Sequence, residues 1–433
     1  MSWFEKQFKL KENNTDVKTE VLAGLTTFMT MAYIIIVNPA ILSKTGMPFG
    51  PVLVATCLGA ALGTFLMAIL ANYPFAMASG MGLNAFFTFT VVMTMHVSWE
   101  VALTAVFIEG VIFIVLTMSS IRQTVVNSIP KTLKIGISAG IGLFIAFIGL
   151  QSSGIVVNND AVLVGLCSFK QNTPGLLALV GLIIMVYLQV KNVRGSILIG
   201  IIAVTVIGIP LGITKLPGSV VSMPPSLSPI FWKMDFSQLS NINFWVVVFA
   251  FFFVDFFDTV GTLVGVASRV GMLDKDGNLP RVGAALMSDA IGTVAGAVLG
   301  TSTVTTYVES ASGVEQGGRT GLTALVVSIL FLLAMFFSPL VQIVPSCATA
   351  PALIMVGCFM VMGIGNMDFS DWTEFFPAVL ALFMMPFAYS IATGIEFGIT
   401  SYVILKVLTG KGKDVHWIMY ALAILFILNH TLR

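Results

Sequence analysis

Two stretches of this sequence decide its fold: residues 73–84 read YPFAMASGMGLN, and residues 300–313 read GTSTVTTYVESASG. Each begins with small or β-branched residues that favour extended backbone and then passes into residues that favour a helix. Both lie among long apolar segments, so their non-helical backbone falls at membrane depth. Such backbone is tolerated there only where protein or a polar cavity satisfies its amides and carbonyls. The two stretches therefore predict a pair of broken helices beside a buried polar site.

The composition of the chain is that of a polytopic membrane protein. Of its 433 residues, 57% are apolar and only 9% are charged, whereas a soluble domain carries roughly 25% charged residues. Soluble enzymes, nucleic-acid binders and disordered proteins are thereby excluded, and a net charge of +1 indicates no polyanionic partner. The four cysteines form no Cys-x-x-Cys pair, so neither a disulfide framework, a metal site nor a cofactor is expected.

Apolar segments near the ~20 residues that cross a bilayer follow one another along the chain. We predict fourteen membrane segments, and a further apolar segment, 416–430, either crosses or lies on the surface. The fourteen are 21–42, 51–72, 74–95, 99–119, 132–150, 175–190, 195–213, 243–267, 281–300, 302–316, 320–340, 347–364, 374–391 and 393–409.

The basic residues provide a test of this count. With the N-terminus inside and fourteen alternating crossings, sixteen Lys and Arg residues fall on the inside. Four fall outside: Lys44, Lys170, Lys215 and Lys233. Cytoplasmic loops carry such an excess of positive charge. We expect a multi-pass protein of the cell membrane, with residues 1–20 as a cytoplasmic segment that lacks the features of a cleaved signal peptide.

The two broken stretches occupy the third and tenth segments, which is the same place in two halves of seven segments. Because seven is odd, the second half must be inverted relative to the first. Broken helices at matching positions of inverted repeats indicate a substrate site at the midplane of a secondary transporter. The alternative interpretation is that both stretches are short, glycine-rich packing helices.

Acidic residues inside membrane segments are costly and are therefore functional candidates. Asp255 and Asp258 are three residues apart on one face of segment 8, and Glu309 follows the extended stretch of segment 10, near a helix N-terminus that suits a polar ligand. Asn84 takes the comparable place in segment 3. The remaining candidates are expected to have other roles: Asp289 and Glu315 solvated or paired with Arg281 and Arg319, Glu396 structural, and Glu109 either bonded to a neighbouring helix or part of a proton path.

An enzyme is not expected, because no nucleophile–base set appears and the three histidines lack metal-ligand spacing. A neutral base fits the acids better, since a carboxylate can accept two adjacent N–H bonds. Helix-end amides could serve the acceptors of such a base. Aromatic residues are candidates to stack on its ring: Phe86, Phe87, Phe253, Phe256 and Tyr307.

The motifs together resemble the AzgA-like branch of the nucleobase–cation symporter-2 family. The resemblance rests on 24–34 with Asn38 and Pro39, on 78–87, on 255–262, on 305–310 and on 317–321, and it extends from about residue 3 to past 400. It implies an all-α transporter that takes up hypoxanthine, guanine or adenine with protons. Its expected partners are a purine base, a proton, the lipid bilayer and, in a homodimer, a second copy, with no nucleic acid.

The resemblance also implies a division into two domains formed by two inverted seven-segment repeats. A core domain comprises residues 21–120 (segments 1–4) and 243–342 (segments 8–11) and holds the substrate. A gate domain comprises residues 121–242 (segments 5–7) and 343–433 (segments 12–14 with the last apolar segment).

Carried over by motif, the resemblance assigns Asn84, Asp255, Asp258 and Glu309 to the purine site or its proton coupling. Ser79, Gly80 and Thr306, at the ends of the extended stretches, complete the expected substrate contacts. Related uracil and xanthine permeases usually have Glu at the position of Asp258, and the shorter side chain leaves room for a bicyclic base. The preferred purine, the proton stoichiometry and the choice between Asp255 and Asp258 as proton carrier stay open.

Two other classes of transport protein fit the sequence less well. Sulfate and bicarbonate carriers share the inverted-repeat fold, but they need a positive site, and the broken segments contain acids without Lys or Arg. A channel would show continuous polar stripes, and none is apparent.

Overall fold

The computed structural model describes residues 3–118, 130–269, 272 and 279–431, and most of these residues are helical. The elements of the first half are α1 Trp3–Phe8, α2 Val17–Met31, α3 Ile34–Leu42, α4 Phe49–Leu66, β1 Met77–Ser79, α5 Met81–Ala85, α6 Trp99–Met118, α7 Lys131–Ser152, β2 Val156–Asn159, β3 Leu163–Leu166, α8 Thr173–Val190 and α9 Ser196–Gly208. A π-helical stretch, Phe86–Thr94, continues α5.

The second half begins with the longest helix of the described chain. Its elements are α10 Ile242–Arg269, α11 Val282–Leu299, β4 Val304–Thr306, α12 Ser310–Glu315, α13 Gly321–Ala334, α14 Ser338–Gln342, α15 Ser346–Val361, α16 Trp372–Phe387, α17 Ile391–Leu408 and α18 Trp417–Thr431.

The protein is a mostly helical polytopic membrane protein. Within the described residues, nine helical stretches are long and apolar enough to cross a membrane: Val17–Thr45, Phe49–Ala71, Trp99–Met118, Lys131–Ser152, Thr173–Val190, Val282–Leu299, Gly321–Gln342, Ser346–Asn366 and Ile391–Leu408. Each of the fourteen predicted intervals contains a helix or a strand followed by a helix. The exact count of fourteen crossings stays a prediction, as does the crossing of α18.

The two broken stretches meet in an antiparallel pair of strands. Strand β1 pairs with β4 in the register Met77↔Thr306, Ala78↔Thr305, Ser79↔Val304. All six residues are buried. Threonine hydroxyl groups bond the backbone atoms on the outer edges of the two strands. The Thr64 hydroxyl accepts from the amide of Met77 at 2.9 Å and donates to its carbonyl at 3.0 Å. The Thr293 hydroxyl donates to the carbonyl of Val304 at 3.2 Å. The extended backbone therefore lies at membrane depth with its polar groups paired, as a bilayer requires.

Glycines allow β4 to lie between α4 and α11. A Cβ on Gly63 would lie 2.9 Å from Cγ1 of Val304, and a Cβ on Gly296 would lie 2.9 Å from its Cγ2. Any larger residue at either position would require Val304 or the helix to shift. Small residues at helix contacts in membranes allow this kind of close approach.

The long helices pack in two groups. Helices α2, α4, α6, α10, α11 and α13 form one group, in which α4, α10 and α11 contact the strand pair. Helices α7, α8, α9, α15, α16 and α17 pack mainly on one another. A contact between the groups is made at Gly82, where an added Cβ would lie 2.8 Å from Cγ2 of Ile141.

The predicted cytoplasmic segment contributes one buried acid to the fold. Glu20 is fully buried, and its carboxylate accepts hydrogen bonds from the backbone amides of Arg319, Thr320 and Thr323 at 2.9, 3.3 and 3.1 Å and from the Thr323 hydroxyl at 2.6 Å. The carboxylate thus caps the N-terminus of α13 and ties it to α2, where a negative charge is favourable.

Candidate functional site

The site lies at the ends of the strand pair, where each strand passes into a helix. Strand β1 leads through Gly80 into α5, and β4 leads through Tyr307 into α12. Backbone hydrogen bonds between the two stretches continue beyond the ends of the strands. The Gly80 amide donates to Thr303 O and the Tyr307 amide donates to Ala76 O, both at 3.0 Å. Because the strands are antiparallel, α5 begins beside the start of β4, and α12 begins beside the start of β1.

Glu309 lies just before α12 and is half-buried. The hydroxyl of Tyr33 donates to its Oε1 at 2.6 Å, and the hydroxyl of Thr30 donates to its backbone oxygen at 3.4 Å. Both donors come from segment 1, where the helix is interrupted between Met31 and Ile34. One carboxylate oxygen of Glu309 is therefore already engaged, and no other side chain of the described residues bonds the carboxylate.

Asp258 is half-buried on α10. The ionisable groups that interact with it include those of Glu309 and Tyr307 and also the acids Asp255 and Asp289. No described residue donates a hydrogen bond to its carboxylate. The structure thus brings Asp258, Glu309, Tyr33 and Tyr307 together. Three of these four residues were candidates from the sequence: Asp258 and Glu309 as acids and Tyr307 as an aromatic residue.

Asn84 lies on the other side of the strand pair and is fully buried. Its Oδ1 accepts a hydrogen bond from the Ser302 hydroxyl, and its Nδ2 donates to the carbonyl of Ser79 at 3.4 Å. The Ser79 hydroxyl bonds that of Thr301 at 2.7 Å. Asn84 and Ser79 are thus joined in a network that links the two broken segments.

Gly80 and Thr306 occupy the strand ends. A Cβ on Gly80 would lie 2.7 Å from Cγ2 of Thr305, so only glycine fits without a shift of β4. Thr306 is buried, and its hydroxyl has no hydrogen-bond partner among the described residues. A buried polar group without a partner is uncommon and suggests that a ligand supplies one.

Asp255 is separated from this group. It is fully buried, and neither of its carboxylate oxygens has a hydrogen-bond partner within the described chain. Its side chain faces Glu109 of α6. The two acids of segment 8 lie on one side of the helix, as predicted, but they have different neighbours.

The helix-end amides differ from the expectation. The amides of Ser310, Ala311 and Ser312 donate to carbonyls of Tyr307, Val308 and Glu309 at 3.0–3.1 Å, so the start of α12 offers no unused donors there. The first-turn amides of α5 make no such turn bonds in the described chain. Backbone donors for a ligand are therefore available at the start of α5.

Asp289 corrects one sequence expectation. It is fully buried on α11 instead of solvated or paired with Arg281, and its Oδ1 accepts a hydrogen bond from the Thr259 hydroxyl at 3.0 Å. Thr259 also bonds the Thr305 hydroxyl at 2.6 Å, so Asp289 supports the back of β4. Arg281 instead lies over the ring of Tyr73, 4.5 Å from its centroid.

Most of the aromatic candidates are used in packing. Phe86 packs edge-on against Phe251 at 4.8 Å between ring centroids, and Phe256 packs against Phe113 at 5.4 Å. Phe87 and Phe253 are also buried. Tyr307 is the exception, because its hydroxyl donates to the carbonyl of Ser79 and it also faces the two acids.

Sequence reasoning missed Tyr33, Ser302 and the buried position of Asp289. Tyr33 precedes four aliphatic residues and ends in a polar group, which is a signal that could have marked it. Nothing in the sequence next to Ser302 distinguishes it from the neighbouring threonines.

Comparison with known proteins gives consistent matches over almost the whole chain. The model of the permease family matches residues 18–397. A putative permease of Methanocaldococcus jannaschii is 53% identical over 429 residues, covering 99% of this chain and 98% of that protein. The guanine/hypoxanthine permease PbuG of Bacillus subtilis is 45% identical (97% and 98% covered), and the adenine permease AdeP of Escherichia coli is 43% identical (98% and 95% covered).

Solved structures show the same fold at low sequence identity. The transmembrane domain of the cyanobacterial bicarbonate transporter BicA aligns with a TM-score of 0.64 and 16% identity, covering 87% of this chain and 97% of that domain. The structure of SLC26A9 aligns with a TM-score of 0.66 and 13% identity, covering 94% of this chain and 67% of that protein.

Proposed function

Because the chain belongs to the permease family, we propose that it takes up purine nucleobases (hypoxanthine, guanine or adenine) across the cell membrane in symport with protons. The names of its relatives support the purine class, since they include adenine and guanine/hypoxanthine permeases that match this chain from end to end. A nucleobase transporter of Paenibacillus larvae named PlAzg2, 32% identical over 90% of this chain, supports the finer placement in the AzgA-like branch.

The grouping of Asp258, Glu309 and Tyr33 carries this proposal. A purine is neutral and presents N–H donors on its edge, and a carboxylate accepts such donors in charge-assisted bonds, which are the strong ones. The Tyr33 hydroxyl holds Oε1 of Glu309, which leaves Oε2 for the base. Asp258 approaches the same space from α10 and offers a second acceptor.

The remaining predicted contacts have complementary roles. The base has ring-nitrogen or carbonyl acceptors, and the first-turn amides of α5 after Gly80 can serve them. The unpartnered hydroxyl of Thr306 can donate or accept on the other edge. Asn84 and Ser79 hold the α5 start against Ser302 and Thr301, so their contribution is to position those amides.

Transport requires that the site open to each side of the membrane in turn. We propose that the helices around the strand pair move as one body (residues 21–120 and 243–342) against the other group (residues 121–242 and 343–433). The preference of each helix group for packing within itself supports this division. A cytoplasmic N-terminus and fourteen crossings belong to the same proposal.

The alternative function is that of an anion carrier, because a bicarbonate transporter has the same fold. An anion site needs positive charge, and residues 73–94 and 300–316 contain neither Lys nor Arg. Two carboxylates at the strand ends would repel an anion, so the purine proposal is favoured.

The experiment is uptake of radiolabelled hypoxanthine into proteoliposomes with an imposed inward proton gradient. Guanine, adenine, xanthine, uracil and bicarbonate serve as competitors. We expect competition by one or more of the purines hypoxanthine, guanine and adenine, none by bicarbonate, and loss of accumulation when a protonophore collapses the gradient. Competition by bicarbonate alone would reject the proposal in favour of the anion carrier.

A further inference from the structure

A second acidic site lies behind the base site, between α6 and α10. Glu109 and Asp255 are each 0% exposed. Within the described chain none of their four carboxylate oxygens has a hydrogen-bond partner, although the two side chains act directly on each other and the Thr305 hydroxyl lies close to Asp255. Two facing carboxylates without a donor repel strongly at low dielectric, and an uncompensated buried charge is costly. A proton between them removes one charge and provides the missing donor.

No positive charge near the pair compensates the negative charge of the two carboxylates. Asp289 of α11 faces both members, and Asp258 lies one turn along α10 from Asp255. The strand β4 contributes only the neutral Thr305. No Lys, Arg or His among the described residues forms an ion pair with Glu109, Asp255 or Asp289. The described residues also contain no group of acids, His and Cys that could hold a metal ion.

A cavity of about 340 Å³ lies further along the same two helices. It lies between the starts of α6 and α10 and is lined by Ala102 and Ala105 on one side and by Phe244 and Val247 on the other. Its mouth carries the exposed, ionisable residues His96 and Asp235. By the predicted topology this mouth opens on the outer surface.

Helical periodicity places the residues that line the cavity and the two acids on the same faces of α6 and α10. Ala102, Ala105 and Glu109 share one face of α6, and Val247, Phe251 and Asp255 share one face of α10. At 1.5 Å per residue, Glu109 lies roughly 6 Å beyond Ala105 along its helix. Phe251, which is fully buried, lies between the cavity and Asp255.

We infer that Glu109 and Asp255 share one proton, that this pair is the coupling site of the transporter, and that the cavity between α6 and α10 delivers the proton from outside. The inference rests on the proposed function and deepens it, because it separates the proton site from the base site at Asp258 and Glu309. In each cycle one O–H bond of the pair breaks and the proton passes to water on the cytoplasmic side. A proton from outside then restores the pair.

The first test compares Glu109→Gln and Asp255→Asn with Glu100→Gln, a matched change near the start of the same helix. An amide can donate to the remaining carboxyl group, so the pair no longer needs a proton. Purine accumulation driven by a pH gradient should fall at least about tenfold in both variants, whereas counterflow exchange of purine should stay within about twofold of wild type. The double variant should be no worse than either single variant, because the two residues act as a unit. Glu100→Gln should behave as wild type.

A second readout needs no purine. Infrared spectroscopy of the reconstituted wild type should show the carbonyl stretch of a protonated carboxyl group, and this band should be lost in Glu109→Gln and in Asp255→Asn. If wild type takes up no purine but the band behaves as stated, the proposed function fails and the shared proton stands. If the band is unchanged in both variants, the shared proton is wrong.

The delivery route is tested by filling the cavity. Ala102→Leu should slow pH-driven uptake several-fold and leave counterflow unchanged, whereas Val115→Leu, at a 61% exposed position of the same helix, should change neither. Three results would overturn the coupling site: gradient-driven accumulation that persists in both acid variants, loss of counterflow together with accumulation, and accumulation driven by a sodium gradient at constant pH.

Discussion

The hydroxyl of Tyr33 donates a 2.6 Å hydrogen bond to Oε1 of Glu309, across 276 residues of sequence. It joins the interruption of segment 1 to the point where β4 passes into α12. Tyr33 is 1% exposed, so the bond is shielded from water and fixes the orientation of the carboxylate. The arrangement leaves Oε2 of Glu309 as the oxygen that can accept from a base.

Removal of this hydroxyl should weaken base binding without unfolding the protein. Tyr33→Phe loses a hydrogen bond to a charged group, worth about 1.5–3 kcal/mol, and allows the Glu309 carboxylate to rotate. We expect the purine dissociation constant of the purified protein to rise about tenfold or more in equilibrium binding. Tyr187→Phe, at a 60% exposed position, is the control. Equal affinities in both variants would remove Tyr33 from the site.

Glu309 should contact the base directly. Glu309→Gln keeps the shape of the side chain but turns one acceptor into a donor that faces a purine N–H. Affinity should fall at least about tenfold, or about 1.4 kcal/mol, as for loss of a charged hydrogen bond. The matched control is Glu315→Gln, six residues further along the same segment at an exposed position. Unchanged binding in Glu309→Gln would contradict the assignment.

Asp258 should act as a base-binding residue as well. Its half-buried carboxylate lies near Glu309 and Tyr307, so Asp258→Asn should lower both purine binding and counterflow exchange. Asp255→Asn should leave both measurements nearly unchanged, because Asp255 is fully buried and faces Glu109 instead. The opposite ranking of the two variants would show that Asp255 is the base ligand.

Transport should require the two helix groups to move relative to each other. A cysteine pair at Gly82 and Ile141, placed in a background without the four native cysteines, would link α5 to α7 where the groups touch. Oxidation should block uptake and leave purine binding largely intact, because one conformation is trapped. A pair at Ala78 and Thr305, which are opposite in the ladder, should be tolerated when oxidised. Transport that survives the first crosslink and fails with the second would refute the two-body division.

Glu20 should matter for stability and not for base recognition. Glu20→Ala leaves three backbone amides and the Thr323 hydroxyl without their acceptor, and each unsatisfied buried group costs about 1–3 kcal/mol. Thermal unfolding in detergent should occur several degrees lower, whereas Glu12→Ala, which is exposed, should be neutral. A variant that unfolds at the wild-type temperature would show that water replaces the carboxylate.

The sequence is most informative where a local pattern settles the structure. The β-branched run from Thr301 to Thr306 predicts the strand, and the three-residue spacing of Asp255 and Asp258 predicts their common helix face. Both follow from periodicity within one segment. The predicted position of Glu309, after the extended stretch and just before a helix, is confirmed because it too follows from a pattern within one segment.

The environments of individual side chains depend on distant segments and were not predictable from these patterns. Glu20 belongs to a polar stretch by composition, yet residues about 300 positions away surround its carboxylate. Asp289 lies about two turns inside α11, which begins at Val282, and its hydrogen-bond partner is Thr259 of α10, a contact that spacing within its own segment does not indicate. Which acid faces Asp255 is decided by the packing of α6 on α10, on which the spacing within segment 8 has no bearing.

The pairing of β1 with β4 has a consequence for biogenesis. Each strand has a single neighbouring strand, and that neighbour lies in the other half of the chain. When a ribosome has completed the first half, Met77–Ser79 have no strand to pair with, and their ladder amides and carbonyls must remain near water or a membrane chaperone. The strand pair therefore forms only after Val304–Thr306 have been synthesised, and a truncated translation product would expose unpaired backbone that quality-control proteases can recognise.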